Sequence, residues 1–308
     1  MTQSIEETKA VMLTRPSVPE LDAILGKSFK VLDDGFVRVV DYMGSDASIV
    51  QAARVSYGDG TKKGSDDEHL IRYLLRHRHT TPFEMCEIKF HVRVPMDIWR
   101  QWVRHRTASI NEYSTRYSIA VDSARSTSEG EWRSQSSTNR QGSGEMLELE
   151  TGRELTAQEA QLHEECRRIY LERIDRGVAR EQARKDLPLA TYTEAYWKCN
   201  LHNLLHFLAL RMEAAAQSEI RDYATLIGRE IVAKWVPHAW KAFEDYTLES
   251  SLLSRHETAM LGCIARGDAA AARDYAIAHS LVKSDKLGRE IQEFKAKLEK
   301  MGIPTPWA

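Results

Sequence analysis

Arg104-His105-Arg106-Thr107-Ala108-Ser109-Ile110-Asn111-Glu112-Tyr113-Ser114-Thr115-Arg116-Tyr117 crowds cations, an amide, a carboxylate and hydroxyls into one short run. Charges are tolerated inside a core only when paired, so this run has to line a surface. Balancing the negative end of a preceding helix accounts for one or two basic groups. It leaves Asn111, Glu112, Ser114 and Arg116 unexplained. Planar guanidinium forks suit phosphate and carboxylate oxygens, which they bind in bidentate fashion. The run reads as the wall of an anion-binding site.

The chain on either side shows how that wall is carried. Upstream, Ile88, Phe90, Val92 and Val94 alternate with polar residues and predict a half-buried strand. Pro95 then opens a helix whose apolar side is Ile98, Trp99 and Trp102. This helix delivers Gln101, Arg104, His105 and Arg106 to its C-terminal end. Further back, Phe29–Leu32 and Phe36–Val40 flank Asp33-Asp34-Gly35, predicting a β-hairpin in which Gly35 supplies a positive φ. Ser45–Val55 reads as a short helix. Ser65 and Glu68 form a capping box before a helix with Leu70, Ile71, Leu74 and Leu75 on one face. The polar stretch His77–Glu84, broken by Pro82, reads as a loop. Residues 1–27 lack a period and carry Pro16 and Pro19, so an N-terminal arm is expected.

Downstream, apolar content collapses over 120–153, predicting a flexible insertion, either disordered or a flap. Trp132, Arg133 and Asn139 favour the flap. Thr156 and Glu159 read as a second capping box, opening a helix that ends near Gly177. A charged turn with Arg184 follows, then a strand over Leu189–Trp197. Asn200–Met212 predicts a helix with Leu201, Leu204, Leu205, Leu208 and Met212 in one stripe. His202 and His206 are neighbours on another face. Arg211 follows the leucine stripe, and an arginine among apolar turns needs a partner. Gln217–Trp235 reads as one helix. Beyond it, residues 251–308 read as a helical extension ending with Leu287, Ile291, Phe294 and Leu298 at helical spacing.

Composition removes several function classes. The chain has 308 residues, 29% charged, yet its net charge is only −2. That balance counts against a single-stranded nucleic-acid-binding module, the alternative that the Arg104–Arg116 run beside Trp99 and Trp102 invites. Four cysteines, Cys86, Cys166, Cys199 and Cys263, are scattered without zinc or disulfide spacing. Cys199 beside Lys198 is the best placed to be activated, and sequence adjacency is weak evidence for that. His202 and His206 lack a third metal ligand. No glycine-rich dinucleotide or phosphate loop occurs, so a bound dinucleotide would sit off a Rossmann turn. No apolar run approaches the ~20 residues of a membrane span. The N-terminal stretch is polar and acidic, unlike a secretory signal, so the expectation is a cytoplasmic protein with no membrane partner.

At this point the residues match a known pattern. Arg104-His105-Arg106, seven residues and Ser114 resemble the signature of the flavin-dependent thymidylate synthases. Three further blocks look like that family: Gly35-Phe36-Val37 through Ala53-Arg54-Val55-Ser56; His79–Glu84; and Asn200–Leu208, Leu210-Arg211 and Ala216–Ile220. Together they cover about 28–250 in the right order. His202, His206 and Ala215 stand where some relatives carry Arg, Asn and His respectively.

The resemblance implies an α+β subunit with a mixed or antiparallel sheet flanked by long helices. It implies a homotetramer holding FAD at an oligomer interface, and conversion of dUMP to dTMP with 5,10-methylenetetrahydrofolate and NADPH. Carried over, it implies a dUMP site of Gln101, Arg104, Glu112, Tyr113, Ser114, Thr115, Arg116, Arg184 and Arg211. Arg211 matches the arginine that faces the uracil, the catalytic role. The flavin site would take Thr81, Arg104, His105, Arg106, Glu112, Asn200, Leu201, His202 and His206, with His79 and Glu84 near flavin and folate. Ser114 reads as a phosphate-contacting hydroxyl, since only His105 within the motif could activate it.

Overall fold

Alternation at Ile88, Phe90, Val92 and Val94 sets four buried side chains along a central strand, and the sheet is built outward from it. The computed structural model describes residues 15–55, 67–116, 123–136, 142–283 and 286–307. Its main sheet contains β1 (Ser28–Val31), β2 (Gly35–Met43), β3 (Glu87–Pro95) and β4 (Ser109–Glu112). A separate hairpin of β5 (Arg133–Gln135) and β6 (Ser143–Met146) follows, and β7 (Tyr192–Asn200) completes the main sheet. The order is β1-β2-β3-β7-β4 and every pairing is antiparallel, so the expected α+β class holds with an antiparallel sheet.

Aromatic packing fixes the helices that carry the site. Trp102 lies 4.9 Å from Phe207, 5.2 Å from Trp197 and 5.7 Å from Tyr223, ring centre to ring centre. These rings clamp the helices Met96–Trp102, Leu201–Arg211 and Ser218–Leu226 onto β7. Truncating such a buried tryptophan costs on the order of 3–5 kcal/mol. Asn200 caps the helix Leu201–Arg211, its side chain accepting from the Asn203 amide at 2.9 Å. The Leu201 amide donates to the Cys86 carbonyl at 2.8 Å, so that helix starts from the edge of β3.

Several expectations change. The β1–β2 turn is present, but its positive φ is at Leu32 (58°), and Gly35 is needed for another reason. A Cβ there would strike the Tyr223 hydroxyl and meet the Val31 carbonyl at 2.7 Å. Pro82 starts a one-turn helix, Thr81–Glu84, because a missing N–H is harmless in a first turn. The helix Leu149–Asp175 begins well before the Thr156–Glu159 capping box. Those two side chains secure a neighbouring segment instead: Glu159 accepts from the Thr127 amide at 2.6 Å, and Thr156 donates to the Thr127 carbonyl at 2.8 Å. The polar insertion has structure of its own in the β5–β6 hairpin. The helix Ser218–Leu226 passes through a π-helical stretch, Ile227–Val232, before Ala233–Trp235. Val18, Leu21 and Ile24 belong to the main core, so the chain is packed from Val18 onward. Residues 1–14, Ser56, Ser65, Tyr117 and Asn139 lie outside the described residues.

Two compact units form, Met1–Leu248 and Glu249–Ala308. The second packs Met260, Ala272, Ile291, Phe294, Leu298 and Trp307 around its own core. Among the described residues no helix is long and apolar enough to cross a membrane.

Candidate functional site

The buried Trp102 ends its helix, and the chain leaves it directly into the basic run. Arg104, His105, Arg106 and Thr107 from that run, with His206, Phe207, Leu210 and Arg211 from the helix Leu201–Arg211, line a cleft of about 230 Å³. None of these lining residues is a carboxylate. His105 is buried, its ring 5.8 Å from that of His206 and 5.7 Å from Phe207. Burial first, then the neighbouring His206 and Arg211, hold the His105 imidazole below its ordinary pKa, so it is neutral near pH 7. Its Nε2 lies 3.1 Å from the Thr107 hydroxyl.

Arg211 is held by orientation. It donates from Nη2 to the Gln101 carbonyl at 3.1 Å, and burial followed by the charge of Arg104 lowers its pKa. Three guanidiniums and two imidazoles therefore share a cleft in which no described lining residue is anionic. The field this creates favours a negatively charged occupant. Gln101 also donates through Nε2 to Gln217, just before the helix Ser218–Leu226.

Strand β4 carries the chain from this cleft to a second group. All four of its residues are exposed, on the sheet edge beside β7. At about 3.3 Å per residue it separates the two groups by roughly 13 Å. At its end Glu112 accepts from the Thr193 hydroxyl at 2.9 Å, and the Tyr113 amide donates to the Glu194 carbonyl at 2.8 Å. Arg184 donates to Thr115, Arg116 pairs with Glu181 at 3.0 Å, and the Ser114 Oγ accepts from the Arg116 amide at 3.4 Å. This second group is thus Glu112–Arg116 with Arg184.

A third group flanks the first. The helix Thr81–Glu84 packs against Leu201–Arg211. His79, Thr80 and Thr81 line a cleft of about 700 Å³ with Leu70, Tyr73, Leu74 and Met85, and His79 stacks on Tyr73 at 5.9 Å. Glu84 and His202 are half-buried, and neither lines these clefts. Sequence reading missed Thr107, Phe207 and Leu210 as lining residues, and Gln217 and Thr193 as supports. His206 to Leu210 is one helical turn, so the i, i+4 relation offered a signal for Leu210.

Cysteine chemistry is placed elsewhere. Cys86 and Cys199 are buried and free; burial, then Asp46, pushes the Cys86 thiol up to about 12, and burial, then Glu87, raises Cys199. Lys198 does not activate Cys199, because its ammonium is paired with Glu87 at 2.9 Å. Among the described residues no cluster of metal-ligating side chains occurs.

The fold is an antiparallel α+β unit off the Rossmann plan, with a dense cationic cleft at a helix–loop junction. Residues 38–238 match the family described as thymidylate synthase complementing protein. The flavin-dependent thymidylate synthase of Wolbachia pipientis wMel is 52% identical over 254 residues, covering 82% of this chain and 89% of its own. That of Rickettsia typhi is 51% identical over 257 residues, with 78% and 86% covered. Among solved structures, the UMP/dUMP methylase PolB from Streptomyces cacaoi, bound with 5-Br UMP, superposes with a TM-score of 0.64. It is 31% identical and covers 72% of this chain and 99% of its own. The chain belongs to the flavin-dependent thymidylate synthase family and is an enzyme of that class.

Proposed function

We propose that this enzyme converts dUMP to dTMP by FAD-mediated reductive methylation, with 5,10-methylenetetrahydrofolate as carbon donor and NADPH as reductant. The observation that carries the reading is the cleft of Arg104, His105, Arg106, His206 and Arg211, cationic and without a lining carboxylate, in a chain of this family. Arg211 takes the catalytic role. A guanidinium fixed beside the uracil stabilises negative charge at N3 and so activates C5. Gln101, Arg104, Glu112, Tyr113, Ser114, Thr115, Arg116 and Arg184 hold the nucleotide, with arginine forks on the phosphate.

The donor set fits FAD. Arg104, His105, Arg106 and His206 offer guanidinium and imidazole donors suited to a diphosphate. In this reading Glu112, Asn200, Leu201 and His202 complete the flavin site from outside that cleft. The neighbouring cleft has apolar walls from Leu70 and Leu74 and the hydroxyl of Thr81, suited to a flat ring. When bound, the flavin supplies the hydride chemistry, while the protein orients and shields the reactants. His79 and Glu84 lie toward the flavin and folate in this reading.

Placement at the two ends of β4 supports a shared site. A nucleotide that meets Arg104 and Arg211 as well as Ser114 and Arg116 draws them from different copies of the chain, in a cytoplasmic homotetramer. Burial of Cys86 and Cys199 supports a route without a cysteine nucleophile. The test is direct. The purified protein should show a flavin absorption spectrum and form dTMP only with reduced flavin and the folate. A colourless protein that still binds dUMP would sink the reading.

A further inference from the structure

Arg133 lies on β5, in the polar insertion, and no role assigned above uses it. Its Nη2 donates to Glu219 Oε1 at 2.7 Å and its Nη1 donates to the Ser218 hydroxyl. Ser218 and Glu219 open the helix Ser218–Leu226, immediately after Gln217. Gln217 accepts from the Gln101 side chain, and the Gln101 carbonyl accepts from Arg211 at 3.1 Å. The connection 212–217 is therefore fixed at both ends, by Arg211 on one side and by the Arg133 clamp on the other. We propose that Arg133 is a positioning residue for the Arg211 guanidinium, acting through Glu219, Gln217 and Gln101. The consequence for turnover rests on the dUMP reading; the mechanical coupling does not.

Electrostatics explains why the clamp is firm. Both side chains of the Arg133–Glu219 pair are largely covered, at 22% and 18% exposure. Glu219 Oε2 is sealed from solvent and has no hydrogen-bond partner among the described residues. Arg133 supplies the cation that compensates the carboxylate, beside hydrogen bonding from the Glu219 amide, Gln217 and Ser218. Asp97 and Asp222 stand close enough for Glu219 to raise their pKa further after burial has done so. Without the Arg133 cation this end of the helix would hold crowded, under-compensated carboxylates, and removing one partner of a covered pair is strongly disruptive. The hairpin itself is anchored. Trp132 Nε1 donates to Thr156 at 2.9 Å, and the Leu147 amide donates to the Trp132 carbonyl at 2.8 Å. Arg133 is thus presented by a supported element, the condition for setting another group's geometry.

The experiment compares wild type with Arg133→Ala, Arg133→Lys, Gln217→Ala and the Arg133→Ala/Gln217→Ala double variant. Arg133→Ala should lower kcat/KM for dUMP about ten-fold or more, as a displacement of the order of 1 Å does, without loss of bound flavin. Arg133→Lys, which keeps the Glu219 pair and loses the fork, should recover part of it. The double variant should be no worse than Gln217→Ala alone, since both lie on one path; additive losses would overturn the proposal. Hydrogen exchange in the nucleotide-free protein supplies the independent arm. Arg133→Ala should speed exchange at 212–217 and leave the unit Glu249–Ala308 at wild-type rates. Unchanged exchange at 212–217 would overturn the coupling whatever the activity. A wild-type protein that forms no dTMP would instead remove the functional reading, with exchange still deciding the coupling.

Discussion

The Arg211 guanidinium donates through Nη2 to the main-chain carbonyl of Gln101 at 3.1 Å. A carbonyl aims a cation without neutralising it, so Arg211 keeps its charge for whatever enters the cleft. Arg211→Ala should reduce kcat on the order of 10²–10³-fold, as loss of one preorganised electrostatic donor does, while flavin stays bound. Single-turnover kinetics with an absorbance measurement of retained flavin checks both. Equal loss of the two would show that the arginine serves the flavin and not the uracil.

Arg184 gives a contrasting expectation. It touches Thr115, in the group beyond β4, and lines no part of the Arg211 cleft. A hydrogen bond to a charged group is worth about 1.5–3 kcal/mol. Arg184→Ala should therefore raise KM for dUMP by at least about ten-fold with a much smaller change in kcat. A fall in kcat at unchanged KM would place Arg184 at the reacting ring.

Gly35 is tested by stability. The Tyr223 hydroxyl donates to the Arg93 carbonyl at 2.6 Å and fills the space beside the Gly35 Cα. Gly35→Ala should destabilise the fold by about 1–3 kcal/mol, the usual cost of overpacking. Tyr223→Phe should relieve part of that loss, because the clashing oxygen is gone. Urea unfolding of both single variants and the pair gives the coupling.

How much of this was legible in the sequence follows from what each signal reports. Strand β3 and the Trp99–Trp102 face were readable because period and burial agree at every position. The dense run at 104–116 was readable as a surface wall because no core can absorb it, and its Arg104, His105, Arg106 and Thr107 line a cleft. Gly35 was recognised as necessary for the wrong reason: its constraint comes from Tyr223, distant in sequence, and not from its own φ. Thr156 and Glu159 have the composition of a capping box, but their partners are Thr127 and Trp132 across a fold contact that local spacing cannot show. The low apolar content of 120–153 hid a hairpin held by ion pairing, which a hydrophobic period does not register. That the run serves two ligands, its first half the flavin and its second half the nucleotide phosphate, was implied by the family resemblance; that an exposed edge strand, β4, separates the two halves was hidden, because its four residues show no burial period.

The cysteines offer a further check on mechanism. With Cys86 pushed up to about 12 and Cys199 also raised, neither forms an appreciable thiolate near neutral pH. Replacing Cys86, Cys166, Cys199 and Cys263 together by serine should leave turnover of the same order, allowing for lower stability. Thiol titration of the native protein should leave Cys86 and Cys199 unlabelled until it unfolds. Abolished turnover in a quadruple variant that remains folded and yellow would require a cysteine step.

His105 makes the pH dependence specific. Its folded-state pKa lies below the ordinary 6.5, through burial first and then His206 and Arg211. Above about pH 6.5 both folded and unfolded chains hold it neutral, and it contributes no slope. As pH falls below 6.5 the unfolded chain binds the proton first, so stability declines by up to about 1.4 kcal/mol per pH unit until the folded-state pKa is reached. Asp46, Asp97 and Asp222, whose pKa values are raised chiefly by burial, change stability with the opposite sign. Comparison with His105→Asn cancels them. Urea midpoints at about pH 7.5 and pH 5.5 should fall further in wild type than in His105→Asn. Parallel falls in the two proteins would mean that the folded and unfolded chains bind the His105 proton equally, so that burial does not depress it, and a smaller fall in wild type would mean that its folded-state pKa is raised.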